Sequence, residues 1–334
     1  MMAIWKGNLA GGVAPNQVFA VLEGTPRQLV FTPNSDTPYS GLLVDLSAGP
    51  MVVELPPGLL MGTANDLNQR WVLDLGLPGP DKGKGGKHLL FPPGWDGQVP
   101  EGYAATATTN RVLVMVRAMP QGGDMAAATE LMKSVKVYPL EASADWTEPT
   151  WVSLTEQAGL DFPPVRWEDN LTYWQVLAEL IDTEPAYAAY RHAYGELAEL
   201  GIVKGQPFAP DQRMQEILTE AARIGHAQLC VLSFADRRPE RRVWEGTQWE
   251  WAVLGPENGT FDAASYVDLY AREKWFYPGP DRVAGDARPR PRGRVAVLAG
   301  PARPPRRLSR WRQHLHPDRA PARPGPAVLV SDGL

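Results

Sequence analysis

Between residues 28 and 117 the chain is cut into short apolar or alternating runs by Gly, Pro, Asn and Asp. The runs are Gln28–Phe31, Gly41–Leu46, Met51–Leu55, Arg70–Leu75, His88–Phe91, Tyr103–Ala107 and Val112–Arg117. Segments this short, bounded by turn residues, read as strands. The connectors Ser47–Pro50, Pro56–Gly58 and Pro92–Gly97 each supply a φ fixed by proline or a positive φ open to glycine. Connections of hairpin length leave no room for crossover helices. The pattern therefore predicts an antiparallel sandwich rather than βαβ units.

Helical signals come later. Asp124 is an N-cap for a helix to about Val135, with Ala126, Ala127, Leu131 and Met132 near one face. Residues 138–171 read as irregular. A helical section runs from about Thr172 to Phe234, interrupted at Gly201 and Gly205. Pro210-Asp211 starts its last helix, where Met214, Ile217, Leu218, Ala221 and Ile224 keep a 3.6-residue period. Lys204 is placed to reach a carbonyl at a helix end. Residues 243–254 alternate like a strand, and Ala263 to about Phe276 predicts one more helix. The fold class expected is α+β, a mostly antiparallel β-sandwich with a helical section. The division expected is a sandwich domain at 1–140, then a helical section and the start of a second β domain at 141–277, then a tail at 278–334.

Charge separates that tail from the rest. The whole chain carries 33 Lys+Arg and 38 Asp+Glu, a net −5. From Pro278 onward there are 12 Arg and 11 Pro against 4 Asp, which leaves 21 bases and 34 acids in residues 1–277. The body is thus at −13 and the tail at +8, and an acidic body argues against a nucleic-acid-binding core. One cysteine, Cys230, excludes a disulfide framework and a cysteine-based zinc site. It lies in an apolar run and reads as a core thiol rather than a nucleophile. No run approaches the roughly 18 apolar residues of a membrane span, and the first residues carry no export signal.

Two segments carry the candidate chemistry. In Thr32–Tyr39, Asn34, Asp36 and the prolines suit an Asx-type turn. The same residues could line a pocket rim, with Asp36 as acid or base, Tyr39 as hydrogen-bond donor, and Asn34 and Thr37 as ligand-binding groups. In Gly79–Lys87, four glycines and three lysines could cradle an anion, with Lys82, Lys84 and Lys87 supplying charge. A solvated hairpin loop has the same composition, and the spacing is not that of a Walker loop. Arg70, a further ligand-binding candidate, and Asp74 would share a face on a regular strand before it. The five histidines form no metal-binding pattern, so no metal and no cofactor are expected. Trp71, Trp95, Trp146, Trp151, Trp167 and Trp174 could stack on sugars but more commonly fill cores.

Five blocks taken together resemble the bacterial domain-of-unknown-function 1254 family: residues 32–58, 75–103, 108–117 (TTNRVLVMVR), 136–140 (KVYPL) and 201–222. The resemblance covers roughly residues 10–275. It implies a β-rich, jelly-roll-like fold with helical additions and a place in the bacterial envelope or outside the cell. It implies no reaction. The family pattern continues into a second domain of unknown function, number 1214. Reading Val295–Leu334 one nucleotide later, with a consistent choice of codons, turns Arg-Pro-rich text into alternating aromatic strands that resemble that domain. The expectation is a shifted reading frame near Gly279–Asp281, the alternative being a basic, disordered tail that binds an acidic partner, and resequencing of the source DNA decides between them. As given, without a signal peptide, the chain would be cytoplasmic.

The function expected is binding, with hydrolysis as an extension, of a small anionic or carbohydrate-like ligand, with no nucleic-acid partner and no membrane span. The alternative is a non-catalytic structural or interaction protein of the envelope. A sandwich lacking its neighbouring domain would expose apolar surface and strand edges, which favours a homo-oligomer.

Overall fold

The computed structural model describes residues 1–22, 36–141, 146–154, 169–234, 244–246, 261 and 265–276. The strand expected at Gln28–Phe31, most of that at 243–254, and the tail lie outside these residues. The described chain begins with helix α1 (Met2–Ala10) and strand β1 (Val18–Leu22). Next come β2 (Tyr39–Asp45), β3 (Met51–Leu55), β4 (Leu60–Asp66), β5 (Trp71–Gly76), β6 (Gly86–Phe91), β7 (Tyr103–Thr106) and β8 (Arg111–Ala118). They lead to α2 (Met125–Lys133), β9 (Lys136–Pro139), β10 (Thr150–Ser153), α3 (Leu171–Thr183), α4 (Arg191–Glu199), α5 (Gln212–Phe234) and α6 (Leu269–Phe276).

The strands form two open sheets, in the orders β10-β1-β2-β8-β4-β5 and β7-β6-β3-β9. The protein is therefore α+β, with a sandwich-like layout. Most pairs are antiparallel, but β1–β10 and β6–β7 are parallel. Between the sheets lies one apolar core. It takes Leu42 and Val44 from β2, Met51, Val53 and Leu55 from β3, and Val112, Val114 and Val116 from β8, with Met132 of α2. Asp124 starts α2, its carboxylate accepting from the Ala127 amide at 2.9 Å.

The large sheet is buried on its other face as well. Leu43 and Leu113, which alternate with the sandwich-facing residues, join Met2, Ile4 and Trp5 of α1, Val176 of α3 and Ala271 of α6 in a second core. This explains the unbroken apolar run of β8, since a strand covered on both faces has no side for polar residues. The outer face of the small sheet carries a smaller apolar cluster of Val52, Leu89 and Phe91, with Trp95, Tyr138 and Leu140 packed against it.

In α5 the packed face is not centred on the periodic set Met214, Ile217, Leu218, Ala221 and Ile224. Leu218 and Ala222 are buried, whereas Ile217 and Ile224 are exposed. The helix turns Leu218 inward, where the indole of Trp174 on α3 donates to the Leu218 carbonyl at 2.7 Å.

Candidate functional site

Register builds a polar patch at one end of the large sheet, on the face that carries the helices. Tyr39, Arg117, Met61 and Gly76 lie in one row across β2, β8, β4 and β5. The next row holds Gly41, Met115, Thr63 and Asp74. Leu43, two residues beyond Gly41, is in the second core, so both rows face the helical side. Gly41 admits α1 closely: a Cβ there would sit 3.7 Å from the Asn8 side-chain oxygen.

Arg117 is half-buried. Its Nη1 donates to the Tyr39 hydroxyl at 3.1 Å, and the guanidinium lies 5.7 Å from the Tyr39 ring centre. Among the described residues it has no carboxylate partner. Withdrawing a guanidinium from water without a counter-charge is costly, and a carboxylate or phosphate matches its planar fork. Thr63 is 5% exposed, and its hydroxyl oxygen is buried without a hydrogen-bond partner. Directly across from it, half-buried Asp74 accepts from the Trp71 indole at 2.8 Å through Oδ1. Burial pushes the Asp74 carboxyl above its ordinary value, and the Trp71 hydrogen bond and the Lys82 charge offset part of that rise.

The other expected site residues are placed as follows. Asp36 is exposed, while Thr37 and Tyr39 are buried at the start of β2. Asn34 lies outside the described residues. Lys82, Lys84 and Lys87 are exposed. Lys82 is near Asp74 and donates to the Pro78 carbonyl at 3.4 Å. Lys87 instead pairs in register with Glu54 on the outer face of the small sheet, away from Tyr39. Arg70 is not brought to the patch. It sits in the turn between β4 and β5, four residues before Asp74 and so at the far end of the sheet, 5.5 Å from the ring of Tyr187.

The glycine-lysine loop is built around its own carboxylate. Asp81 is buried, its Oδ2 accepts from the Gly85 amide at 3.2 Å, and its Oδ1 lies 3.1 Å from Nε2 of buried His88. The amides of Gly79, Lys82 and Lys84 donate to carbonyls within the loop. Those donors therefore face inward, and the lysine side chains point to solvent.

Cys230 is half-buried rather than a core thiol, with its sulfur 3.8 Å from Nε2 of His226 one turn earlier. Trp95 stacks on Phe91, Trp146 meets Tyr138 edge-on and Trp151 meets Phe19 edge-on, so these rings pack against other aromatic rings. Trp167 is outside the described residues. Among the described residues no cluster of three metal-ligating side chains occurs, and no helix is long and apolar enough to cross a membrane.

Residue type alone hid Arg117 and Thr63. Arg117 ends the block TTNRVLVMVR, where it looks like a strand terminus, and threonine is ordinary in strands. The signal available was an arginine closing an otherwise apolar central strand.

The fold is similar to that of the VPA0106 protein from Vibrio parahaemolyticus, with a TM-score of 0.54 and 16% identity, covering 83% of this chain. The chain spans 62% of that protein's length. A putative uncharacterized protein from Burkholderia cenocepacia matches with a TM-score of 0.27 and 13% identity, covering 44% of this chain and 42% of the other. No curated protein matches. Residues 16–139 match the family described as "Protein of unknown function (DUF1254)".

Proposed function

We propose that the protein binds a small anionic ligand at the Tyr39–Arg117 end of the helix-facing sheet surface. The observation that carries the reading is Arg117: a half-buried guanidinium on a central strand, hydrogen-bonded to Tyr39 and lacking a carboxylate partner among the described residues. Asp36 and Thr37 lie just before β2, the strand of Tyr39, and Lys82 adds positive charge beside Asp74. Lys87 and Arg70 do not belong to the site, given their places on the outer face of the small sheet and at the far end of the large one. Hydrolysis, with Asp36 as base and Tyr39 as donor, is an extension of the same reading, as is a place in the bacterial envelope.

A second reading, an interaction protein, is favoured by Ile217, Ile224 and Val231. These are exposed at seven-residue spacing along α5. The two readings separate in a thermal-shift screen of the full chain against small carboxylates, phosphate and sugar acids. Ligand binding predicts stabilisation by at least one anion, weakened about 10–100-fold in affinity by Arg117→Gln, the loss expected for a charge-assisted hydrogen bond. An assembly surface on α5 predicts no such dependence. Absence of any anion effect on the unsubstituted protein would sink the binding reading.

A further inference from the structure

We propose that the ligand is a hydroxylated monocarboxylate of the sugar-acid class, its carboxylate held by Arg117 and its hydroxyl groups read by Thr63 and Asp74. This rests on the anion-binding reading above and adds the second pole of the site.

The first observation is Thr63. Its hydroxyl is buried, faces the helical side of the sheet, and has no partner. Valine has the same shape and would fill that position without leaving a donor and an acceptor unmatched, so the hydroxyl is stabilised only if something comes to it. The second is Asp74, directly opposite Thr63 across an antiparallel pair. Side chains so placed have Cβ atoms about 5 Å apart and can address one ligand segment. The Trp71 indole fixes one Asp74 oxygen. The other oxygen makes no hydrogen bond among the described residues and remains an acceptor for a ligand hydroxyl.

Spacing and charge narrow the class. Arg117 and Asp74 are two strands and two residues apart, about 12 Å between Cα atoms, which suits an extended chain of about six carbons rather than a single ion. The site has the Arg117 guanidinium at one pole and the Asp74 carboxyl at the other, with the Lys82 charge near Asp74. A second negative group at the far end of the ligand would meet the Asp74 carboxyl, so the matching molecule is anionic at one end and neutral, with hydroxyl donors, at the other.

Isothermal titration of the full chain with gluconate and with hexanoate tests this. The two share six carbons and one carboxylate and differ in hydroxyl groups. Gluconate is expected to bind at least tenfold tighter, because a site built to hydrogen-bond hydroxyls discriminates against their absence. Thr63→Val and Asp74→Asn are each expected to erase most of that preference while hexanoate affinity stays equal or rises. Retained hexanoate binding shows that the variants are folded. Arg117→Gln is expected to weaken both ligands. If the unsubstituted protein binds neither, the anion-binding reading falls and this inference with it. If hexanoate binds as well as gluconate, or the preference survives both substitutions, the hydroxylated class is overturned while anion binding stands.

Discussion

Asp66 closes the opposite end of the sheet from the candidate site and is fully buried. Its Oδ1 accepts from the Arg70 amide at 3.0 Å. Its Oδ2 accepts from the Thr108 amide at 2.9 Å and the Thr108 hydroxyl at 2.5 Å. Burial nevertheless pushes the carboxyl above its ordinary value of 3.8, and the Thr108 and Arg70 hydrogen bonds and the Arg70 charge offset only part of that. A raised folded-state value means that the native state holds its proton longer than the unfolded chain. The stabilisation linked to that proton is complete below pH 3.8 and is lost as pH rises through the raised value. Asn at this position offers one acceptor in place of two and turns an NH2 toward a backbone donor. Asp66→Asn is expected to cost about 1–3 kcal/mol, seen as a lower urea midpoint at unchanged slope. The deficit is largest at the acid end of the stable range and narrows as pH climbs through that window. A deficit that widens with pH would contradict the assignment. None of this was legible in the residues alone, which drew attention to Arg70; only the pairing of distant strands puts Thr108 beside Asp66.

Among the elements, strands whose sequence alternates cleanly were readable nearly to the residue. Met51–Leu55 is β3 as expected, and Val112–Arg117 lies within β8. The first residues of β4, Leu60–Asp66, hide behind Gly62 and end in Asn and Asp, which strands disfavour. The parallel pairs were out of reach for a different reason. Periodicity names the faces of a strand but not its partner, and β1 pairs with β10 across more than a hundred residues of chain. Helix starts at Asp124 and Asp211 were readable because capping is local: each carboxylate accepts an amide three residues on, from Ala127 at 2.9 Å and Met214 at 2.7 Å. Glycines show the same contrast. Gly76 and Gly94 both have positive φ, +73° and +77°, but a Cβ at Gly76 would lie 2.1 Å from the Leu60 carbonyl oxygen while Gly94 has open space. Gly94→Ala is expected to cost about 1 kcal/mol, the left-handed backbone term alone. Gly76→Ala is expected to cost at least about 2 kcal/mol, because the β4–β5 pair must also shift. Urea midpoints of the two variants measure the difference, and equal losses would mean that the end of β5 yields freely.

The whole molecule is held together where the sandwich meets the helical section, a junction that an expected boundary near residue 140 does not reveal. Burial explains why: the second core draws Leu43 and Leu113 from the large sheet and Val176 and Ala271 from helices far later in the chain. At its rim one residue joins three segments. Glu184, just after α3 and 4% exposed, accepts from the Asn110 amide at 2.6 Å and from the Arg111 guanidinium. Its own carbonyl accepts from Lys204 at 2.9 Å, the same ammonium that reaches the carbonyls of Ile181 and Asp182 at the end of α3. The ion pair is nearly buried, with side chains 15% and 5% exposed. Removing one partner of such a pair leaves the other charge uncompensated, which costs about 3–5 kcal/mol. Glu184→Gln is therefore expected to lower stability by about 3 kcal/mol, since one acceptor oxygen remains. It should also break cooperativity, because the lost bonds lie between the two parts rather than within either. The unsubstituted protein should unfold in one transition by circular dichroism and by tryptophan fluorescence, where Trp5, 5.8 Å from Arg111, reports on the junction. In the variant the junction signal should move first, ahead of the sheet. Coincident transitions at nearly unchanged midpoint would show that the shared apolar core alone couples the two parts, with the charge pair contributing little.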